Sequence, residues 1–461
     1  MAIDTKPAVA TEPALDRLTS FEVEGLFGEY HYRIPVNVKE RVTAIIAPNG
    51  SGKTICLRLI AALFAKQWSF FSDLEFSSAK YTFQSGRLVT VRRDQTVKDH
   101  DAPNGLNIFV AVTAPDQKPV SWRPGSPNPK TGRSISPERY LSFLTRRSPN
   151  LLVHDYTGET YTVYEAVEEF SQHLPPAYRT LVYGEEPPAL KSLISNIDCH
   201  LIETQRLLIL REESSDPYSR QREQRSSLAI SKKAQTLKAI VARELAAYAT
   251  LSQSLDRSFP KRVIELGQRA ILAPEDLKSR LADLESKRAS LMEAGILDSE
   301  ADTPVTLPEG PLEYAIARVL SVYAGDTVQK LDFLSKLQAR IELFIELISQ
   351  RFSTKIVQVS KDDGFSIVGH GGKVPLEKLS SGEQHQLVLF FELLFELREN
   401  ALILIDEPEL SLHVAWQKKF IADLHRIIAL NQFDVILATH SPPLVSRWTD
   451  LVVELGEVDG E

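Results

Sequence analysis

The stretch Arg41–Phe64, RVTAIIAPNGSGKTICLRLIAALF, decides the fold. Val42 to Ile46 is a short apolar run of the kind found in a strand buried on both faces. From Lys53 onward, Leu57, Ile60 and Phe64 recur at helical spacing. Between them, Ala47-Pro48-Asn49-Gly50-Ser51-Gly52-Lys53-Thr54 matches the phosphate-loop pattern GxxxxGK(S/T) except at its first position. Gly50 and Gly52 let backbone N–H groups turn inward, and the helix that follows presents its positive end to phosphate. Asn49 to Thr54 would then cradle a nucleotide, with Lys53 reaching the β- and γ-phosphates and the Thr54 hydroxyl ligating Mg²⁺. Ala47 is a departure, since that position often needs glycine's backbone freedom. A chance glycine-rich turn is the alternative, and the strand before and helix after argue against it.

Working outward, Leu402–Ile405 is a second buried strand, ending in Asp406-Glu407. Phosphoryl transfer is mostly positioning plus charge neutralisation, so adjacent carboxylates can take separate jobs: Asp406 in the Mg²⁺ shell, Glu407 polarising the attacking water. By itself the pair could equally be a capped strand end with solvated acids. Leu379-Ser380-Ser381-Gly382-Glu383-Gln384 is a serine-glycine turn at a helix start, offering N–H donors and a hydroxyl to an anion, or simply capping the helix. A third strand, Val435–Ala438, leads to Thr439-His440-Ser441. A lone histidine at a strand end is often structural, but here its order and spacing favour a functional His440.

With these pieces in place the sequence resembles ABC-type ATPases of the SMC/RecF/OLD group. FEVEGLFGEYHYRIP, APNGSGKT, LSSGEQ (for the signature LSGGQ), LILIDEPELSLH and ATHSP occur in the family order, over roughly 21–65 and 355–455. The resemblance implies an α/β P-loop head split by a helical, short coiled-coil insertion. Its expected parts are a tail at 1–20, a first half at 21–205, the insertion at 206–352 and a second half at 353–461. It also implies that two heads sandwich two ATPs. Ser380, Ser381 and Gly382 would then act on ATP held by Lys53 of the other copy, and His440 would contact the γ-phosphate. The family's Q-loop glutamine lies just before the insertion; Gln205 is the candidate, the alternative being an ordinary polar residue ending a strand. Two departures stand out. His413 occupies the place where transport-type members carry Asp, and, with about twenty residues after His440, the Toprim nuclease domain of OLD nucleases is not expected. No other nuclease constellation is visible, so effector chemistry is expected from a separate protein.

The wording SSGEQHQLVLFFELLF, DEPELSLHVAWQ and IETQRL most resembles stand-alone ATPases of bacterial anti-phage operons, such as those of the PARIS and Septu systems. That implies a switch controlling a nuclease or toxin partner. A RecF-like repair ATPase acting on duplex DNA is the competing reading; a transporter motor is disfavoured by the insertion.

The rest of the chain supplies context. Residues 70–95 alternate like a hairpin or small sheet, while 100–137 carry seven prolines and three glycines and read mostly as loop. A helical pattern is expected around Tyr161–Leu174. From Ser227 a helical stripe runs to Phe259-Pro260, and a second places Leu277, Leu281, Leu284 and Leu291 together, suggesting an antiparallel hairpin. At 1.5 Å per residue, arms of about 30 residues reach only about 45 Å. Pro311–Phe352 reads as a long helix, and Asp363-Gly364 marks a β-hairpin.

The 461 residues carry 53 Lys+Arg against 61 Asp+Glu, a net charge of −8, which argues against a chain-wide nucleic-acid coat. Arg220, Arg222, Arg225, Lys232 and Lys233, with Arg92-Arg93 and Arg146-Arg147, could still meet duplex phosphates; a solvated face balanced by Glu212, Glu213 and Glu223 is the favoured alternative. Two cysteines fit a reducing cytoplasm, and neither a signal peptide nor a membrane span is evident.

Overall fold

The computed structural model describes residues 16–94, 106–115, 117–125, 136–203, 222–265, 273–297, 313–352 and 354–455. Gln205, Arg220 and most of the expected tail lie outside the described residues.

From the N-terminus, β1 (Leu18–Leu26) and β2 (Tyr30–Pro35) form a hairpin, β3 (Val42–Ile46) precedes the glycine loop, and α1 (Lys53–Ala65) follows it. Residues 70–73, expected in a hairpin or small sheet, instead belong to α2 (Trp68–Asp73), because Trp68 and Phe71 bury together at helical spacing. The hairpin begins at β4 (Ser78–Phe83) and continues in β5 (Leu88–Arg93). The loop expected over 100–137 contains β6 (Ile108–Thr113) and β7 (Val120–Trp122). Ile108, Val110 and Val112 point inward with period two, a signal that the surrounding prolines obscure. Next come β8 (Leu144–Ser148), β9 (Leu151–His154), β10 (Thr160–Thr162), α3 (Val163–Glu169), α4 (Tyr178–Tyr183), α5 (Pro188–Ser195) and β11 (Cys199–Ile202). The helix expected from Tyr161 thus starts at Val163, where Thr162 and Glu165 form a capping box.

The middle of the chain contributes α6 (Arg222–Glu265), α7 (Pro274–Glu293), α8 (Tyr314–Ser349), β12 (Lys355–Ser360), β13 (Gly364–Gly369), β14 (Gly372–Val374) and α9 (Ser381–Phe391), which runs into a π-helical turn at Glu392–Glu396. The end supplies β15 (Leu402–Asp406), α10 (Val414–Asn431), β16 (Asp434–Thr439), α11 (Pro442–Val445) and β17 (Val452–Glu454). Two compact units result, one from the described residues up to Glu203 plus those from Arg398 onward, the other from 222–397.

In the first unit a five-stranded sheet has the order β11-β15-β16-β3-β17. All its neighbours pair in parallel. Both β15 and β16 are buried at every residue, as strands covered on both faces must be. An antiparallel sheet of order β2-β1-β4-β5-β6-β7 shares its core, and the Tyr81 hydroxyl donates to Leu59 O in α1 at 2.8 Å. At the start of β16 the buried Asp434 is held by Arg17, whose Nε donates to its Oδ2 at 2.7 Å.

In the second unit α6 and α7 both pack along α8. The helix α6 does not stop at Phe259-Pro260; its 44 residues, at 1.5 Å each, span about 66 Å. Beyond the proline, the Arg262 guanidinium donates to Leu255 O at 2.6 Å and to Asp326 of α8 at 2.8 Å, tying the last turns down. The break before α7 therefore falls after Glu265. Gly364, in the left-handed region at φ +73°, lets β13 approach α6 so closely that a Cβ there would lie 1.9 Å from Ala234 O.

Candidate active site

Three loops leave the carboxyl ends of β3, β15 and β16, adjacent strands of the parallel sheet, so their first residues converge at one edge. Open α/β sheets bind ligands at that edge.

In the loop after β3, Gly50 and Gly52 adopt φ of +83° and +85°. A Cβ on Gly52 would also press on Leu26 and Phe27, at 3.1 and 3.4 Å. Ala47 is not among the described residues with positive φ, and its methyl joins the core. The departure from glycine there therefore carries no backbone strain. Gly52 caps α1 without a side-chain hydrogen bond, and no acidic residue stands in the first turn. The helix thus directs its first N–H groups and positive end into the loop. Beside them, the Ser51 hydroxyl is buried with no hydrogen-bond partner among the described residues.

Lys53 is 4% exposed. Its ammonium donates to Ala47 O at 2.8 Å and Pro48 O at 2.9 Å, and lies 3.2 Å from His440 Nδ1. Burial holds its proton affinity below the ordinary lysine range, against the opposing charges of Glu407, Asp406 and Glu409. One residue on, Thr54 Oγ1 donates to Asp406 Oδ2 at 2.9 Å. Burial pushes the Asp406 carboxyl above the usual aspartate range; the Thr54 hydrogen bond opposes this, and Glu407 and Glu203 add to it.

Glu407 occupies the left-handed region at φ 47°, ψ 55°. For a residue with a Cβ that conformation costs about 1–2 kcal/mol. Its N–H donates to Ala438 O at 2.8 Å, and its Oε1 lies 3.3 Å from His440 Nε2. An ammonium cannot accept, so Lys53 donating to Nδ1 places the imidazole proton on Nε2, the ring nitrogen that faces Glu407. His440 therefore bridges the loop lysine and the second carboxylate. Its main-chain N–H donates in turn to Glu409 Oε1 at 2.6 Å.

Lys53, Thr54, Asp406, Glu407 and His440 are thus brought together, with Ser51 buried beside them and Asn49 and Gly50 on the exposed lip. The arrangement suits a polyphosphate with a hard divalent cation. The uncapped helix start and buried lysine suit the anion, and a hydroxyl and a carboxylate side by side are Mg²⁺-type ligands.

In the second unit, Ser380 caps α9 in a capping box with Glu383, whose carboxylate also takes Lys355 Nζ at 2.7 Å. Ser380 and Ser381 are nonetheless exposed, and a Cβ on Gly382 would meet nothing within 4 Å. Near Gln205, the strand β11 leads to Glu203, which accepts from Arg58 Nη2 at 2.9 Å. His413 caps α10, its Nδ1 accepting from Ala415 N at 3.3 Å. Of the basic candidates, Lys233 is paired with Glu392 and Glu396 at 2.9 and 2.6 Å, and Arg146 with Glu138 at 2.8 Å. Those two positive charges are neutralised by acids that the sequence reading had not linked to them.

Residues 203–446, more than half of the chain, match the family described as "AAA domain, putative AbiEii toxin, Type IV TA system". The chain belongs to this AAA family. Among solved structures it is similar to the Smc head domain with extended coiled coil from Pyrococcus furiosus, bound there to the C-terminal domain of ScpA (14% identity, TM-score 0.32, covering 94% of this chain and 91% of that one). It is also similar to the SMC head domain from Thermotoga maritima (12%, TM-score 0.30, 93% and 91%). A third is the Smc head with coiled coil and joint from Pyrococcus yayanosii (13%, TM-score 0.33, 96% and 96%). No curated protein matches the chain at a significant level. The α/β P-loop head interrupted by helices is thus the fold of an AAA-family member. Among the described residues no helix is long and apolar enough to cross a membrane.

Sequence reasoning assigned no role to Glu409 or Glu203. Glu409 stands two residues past Glu407, in plain view as a third acid in DEPE, but nothing in the spacing says that it faces the His440 loop.

Proposed function

We propose that this AAA-family chain binds ATP with Mg²⁺, hydrolyses it, and works as a switch whose heads pair while ATP is held. The observation that carries the reading is the meeting of Lys53, Thr54, Asp406, Glu407 and His440 at the carboxyl edge of β3, β15 and β16. Lys53, Ser51 and the N–H groups from Asn49 to Thr54 bind the phosphates, exchanging hydrogen bonds that now close on Ala47 and Pro48. Thr54 and Asp406 are the groups that would hold Mg²⁺, which when bound neutralises developing phosphate charge. Glu407 accepts the proton of the attacking water, and His440 orients that carboxylate. Ser380, Ser381 and Gly382 of one copy reach the nucleotide of a second, and Gln205 is the candidate sensor between phosphate and insertion.

On the larger scale, we read the switch as controlling a separate nuclease or toxin in anti-phage defence. The family description speaks of a putative toxin and a type IV toxin–antitoxin system, which supports a toxin–antitoxin setting and names no separate effector. The test has two parts. The Lys53→Ala chain should lose ATP binding and turnover; near-normal turnover would refute the ATPase reading. Tagged Glu407→Gln chain expressed from its own locus should retain a toxic protein at fixed stoichiometry. Recovery of DNA with repair proteins instead would replace the defence role with a RecF-like one.

A further inference from the structure

His440 can bridge Lys53 and Glu407 only if its main chain is held in one place, and the residues that hold it come from a different loop. The His440 N–H donates to Glu409 Oε1 at 2.6 Å. The next residue, Ser441, donates its hydroxyl to Gln417 Oε1 at 2.7 Å. Gln417 Nε2 reaches back to Leu412 O at 3.1 Å and Glu409 O at 3.4 Å. The segment after β15 and the segment after β16 are therefore laced together by two side chains, one of them from α10.

Glu409 is an expensive way to make this contact. Its Oε2 is buried with no hydrogen-bond partner among the described residues. A half-satisfied carboxylate costs more to bury than an amide or an apolar side chain of similar size. What a carboxylate offers instead is a short, charge-assisted bond to a backbone N–H, about twice as strong as a neutral one. Its negative charge also faces Lys53.

We propose that Glu409 is a positioning residue for ATP hydrolysis. It fixes the His440 main chain so that the imidazole spans the 3.2 Å to Lys53 Nζ and the 3.3 Å to Glu407 Oε1, and Gln417 secures the same loop through Ser441. The assignment rests on the ATPase reading above. Glu409 acts through His440 and leaves phosphate binding to the glycine loop, so its loss falls on kcat rather than on KM.

The experiment compares Mg·ATP binding, kcat and KM for the full chain, Glu409→Ala, Glu409→Gln, His440→Ala and the Glu409→Ala/His440→Ala double variant. Glu409→Ala should lower kcat about tenfold or more with binding within about threefold, and Glu409→Gln, which keeps an acceptor but only a neutral bond, should recover part of it. With His440 already alanine, removing Glu409 should change kcat less than about twofold, because the group it positions is gone. Additive losses in the double variant, wild-type kcat in Glu409→Ala, or Glu409→Gln as impaired as Glu409→Ala would each overturn the inference. If Glu409→Ala does not fold, Gln417→Ala measured with and without His440→Ala reads the same coupling. An inactive wild-type chain would overturn the ATPase reading itself, whereas an active one with unchanged Glu409→Ala overturns only this inference.

Discussion

On the proposed ATPase reading, Glu407→Gln should separate nucleotide binding from hydrolysis. The exchange keeps side-chain length and leaves the backbone bond from residue 407 to Ala438 O, 2.8 Å, in place, so the left-handed turn at φ 47° persists. An amide oxygen can still face His440 Nε2 across the present 3.3 Å. What it cannot do is take a proton from water. Loss of a positioned general base costs about 10²- to 10⁴-fold in rate, which at 1.36 kcal/mol per decade is about 3–5 kcal/mol of barrier. Lys53, Thr54 and Asp406 keep their contacts, so ATP affinity should stay within about threefold, less than about 0.7 kcal/mol. Removing one of the three acids that oppose the burial of Lys53 gives a small loss at high pH. The assay is phosphate release at saturating Mg·ATP beside equilibrium binding of labelled ATP, with sedimentation to count paired heads. Turnover within threefold of wild type would refute Glu407 as the base. Lost binding would refute the claim that holding and cleaving ATP use separate residues.

Three further outcomes follow from packing and burial. Gly364→Ala adds a Cβ 1.9 Å from the Ala234 carbonyl oxygen at φ +73°, so α6 must move off β13; urea unfolding should show a loss of about 4 kcal/mol or more, and a near-neutral result would refute the close approach. Among the described residues, Arg17→Ala leaves the buried Asp434 with only the Arg41 guanidinium at 3.9 Å, a loss of about 3 kcal/mol by chemical unfolding, which Asp434→Asn should partly restore in the double variant. Burial holds the Glu168 carboxyl above the ordinary glutamate range, against hydrogen bonds from Ser69 and Tyr183 and the nearby Arg179. The native state then binds that proton more tightly than the unfolded chain. The stability it contributes is fully present below about pH 4 and lost as pH rises through the raised value. Glu168→Gln should accordingly gain on wild type as pH rises above the ordinary glutamate range, and a pH-independent difference would sink the assignment.

Legibility followed the range of each interaction. Val42–Ile46 is a strand to the residue, because a parallel strand covered on both faces writes itself as one apolar run. The glycine loop was legible because left-handed backbone needs glycine, at Gly50 and Gly52, and because Ala47 sits where no such freedom is required. The strands Ile108–Thr113 and Val120–Trp122 were hidden, since prolines and glycines around them gave a loop composition, although β6 pairs with the preceding β5 and β7 pairs with β6. Helix Arg222–Glu265 ran through Pro260 because Arg262 is held by Asp326, more than sixty residues away, which no local propensity records. The same holds for Glu409. Its role depends on two loops brought together by the order β15-β16-β3, and strand order is not written in either loop.

The electrostatics of the site connect these observations. Had Lys53 and Asp406 been paired with each other, the lysine would be pushed up and the aspartate down. Both move the other way, each driven first by burial. Lys53 spends its hydrogen bonds on two carbonyls and an imidazole, and Asp406 accepts from a hydroxyl. The net shifts show that burial outweighs the opposing charges and hydrogen bonds at both groups. A polyanion reaching Lys53 and a divalent cation reaching Asp406 would compensate both at once. Neither would help as much alone, because the anion's charge would face Asp406 and the cation's would face Lys53. On the proposed ATPase reading, a cation-bound triphosphate is therefore expected to bind better than either component alone, and the strained Glu407, 3.3 Å from His440, stands beside both groups.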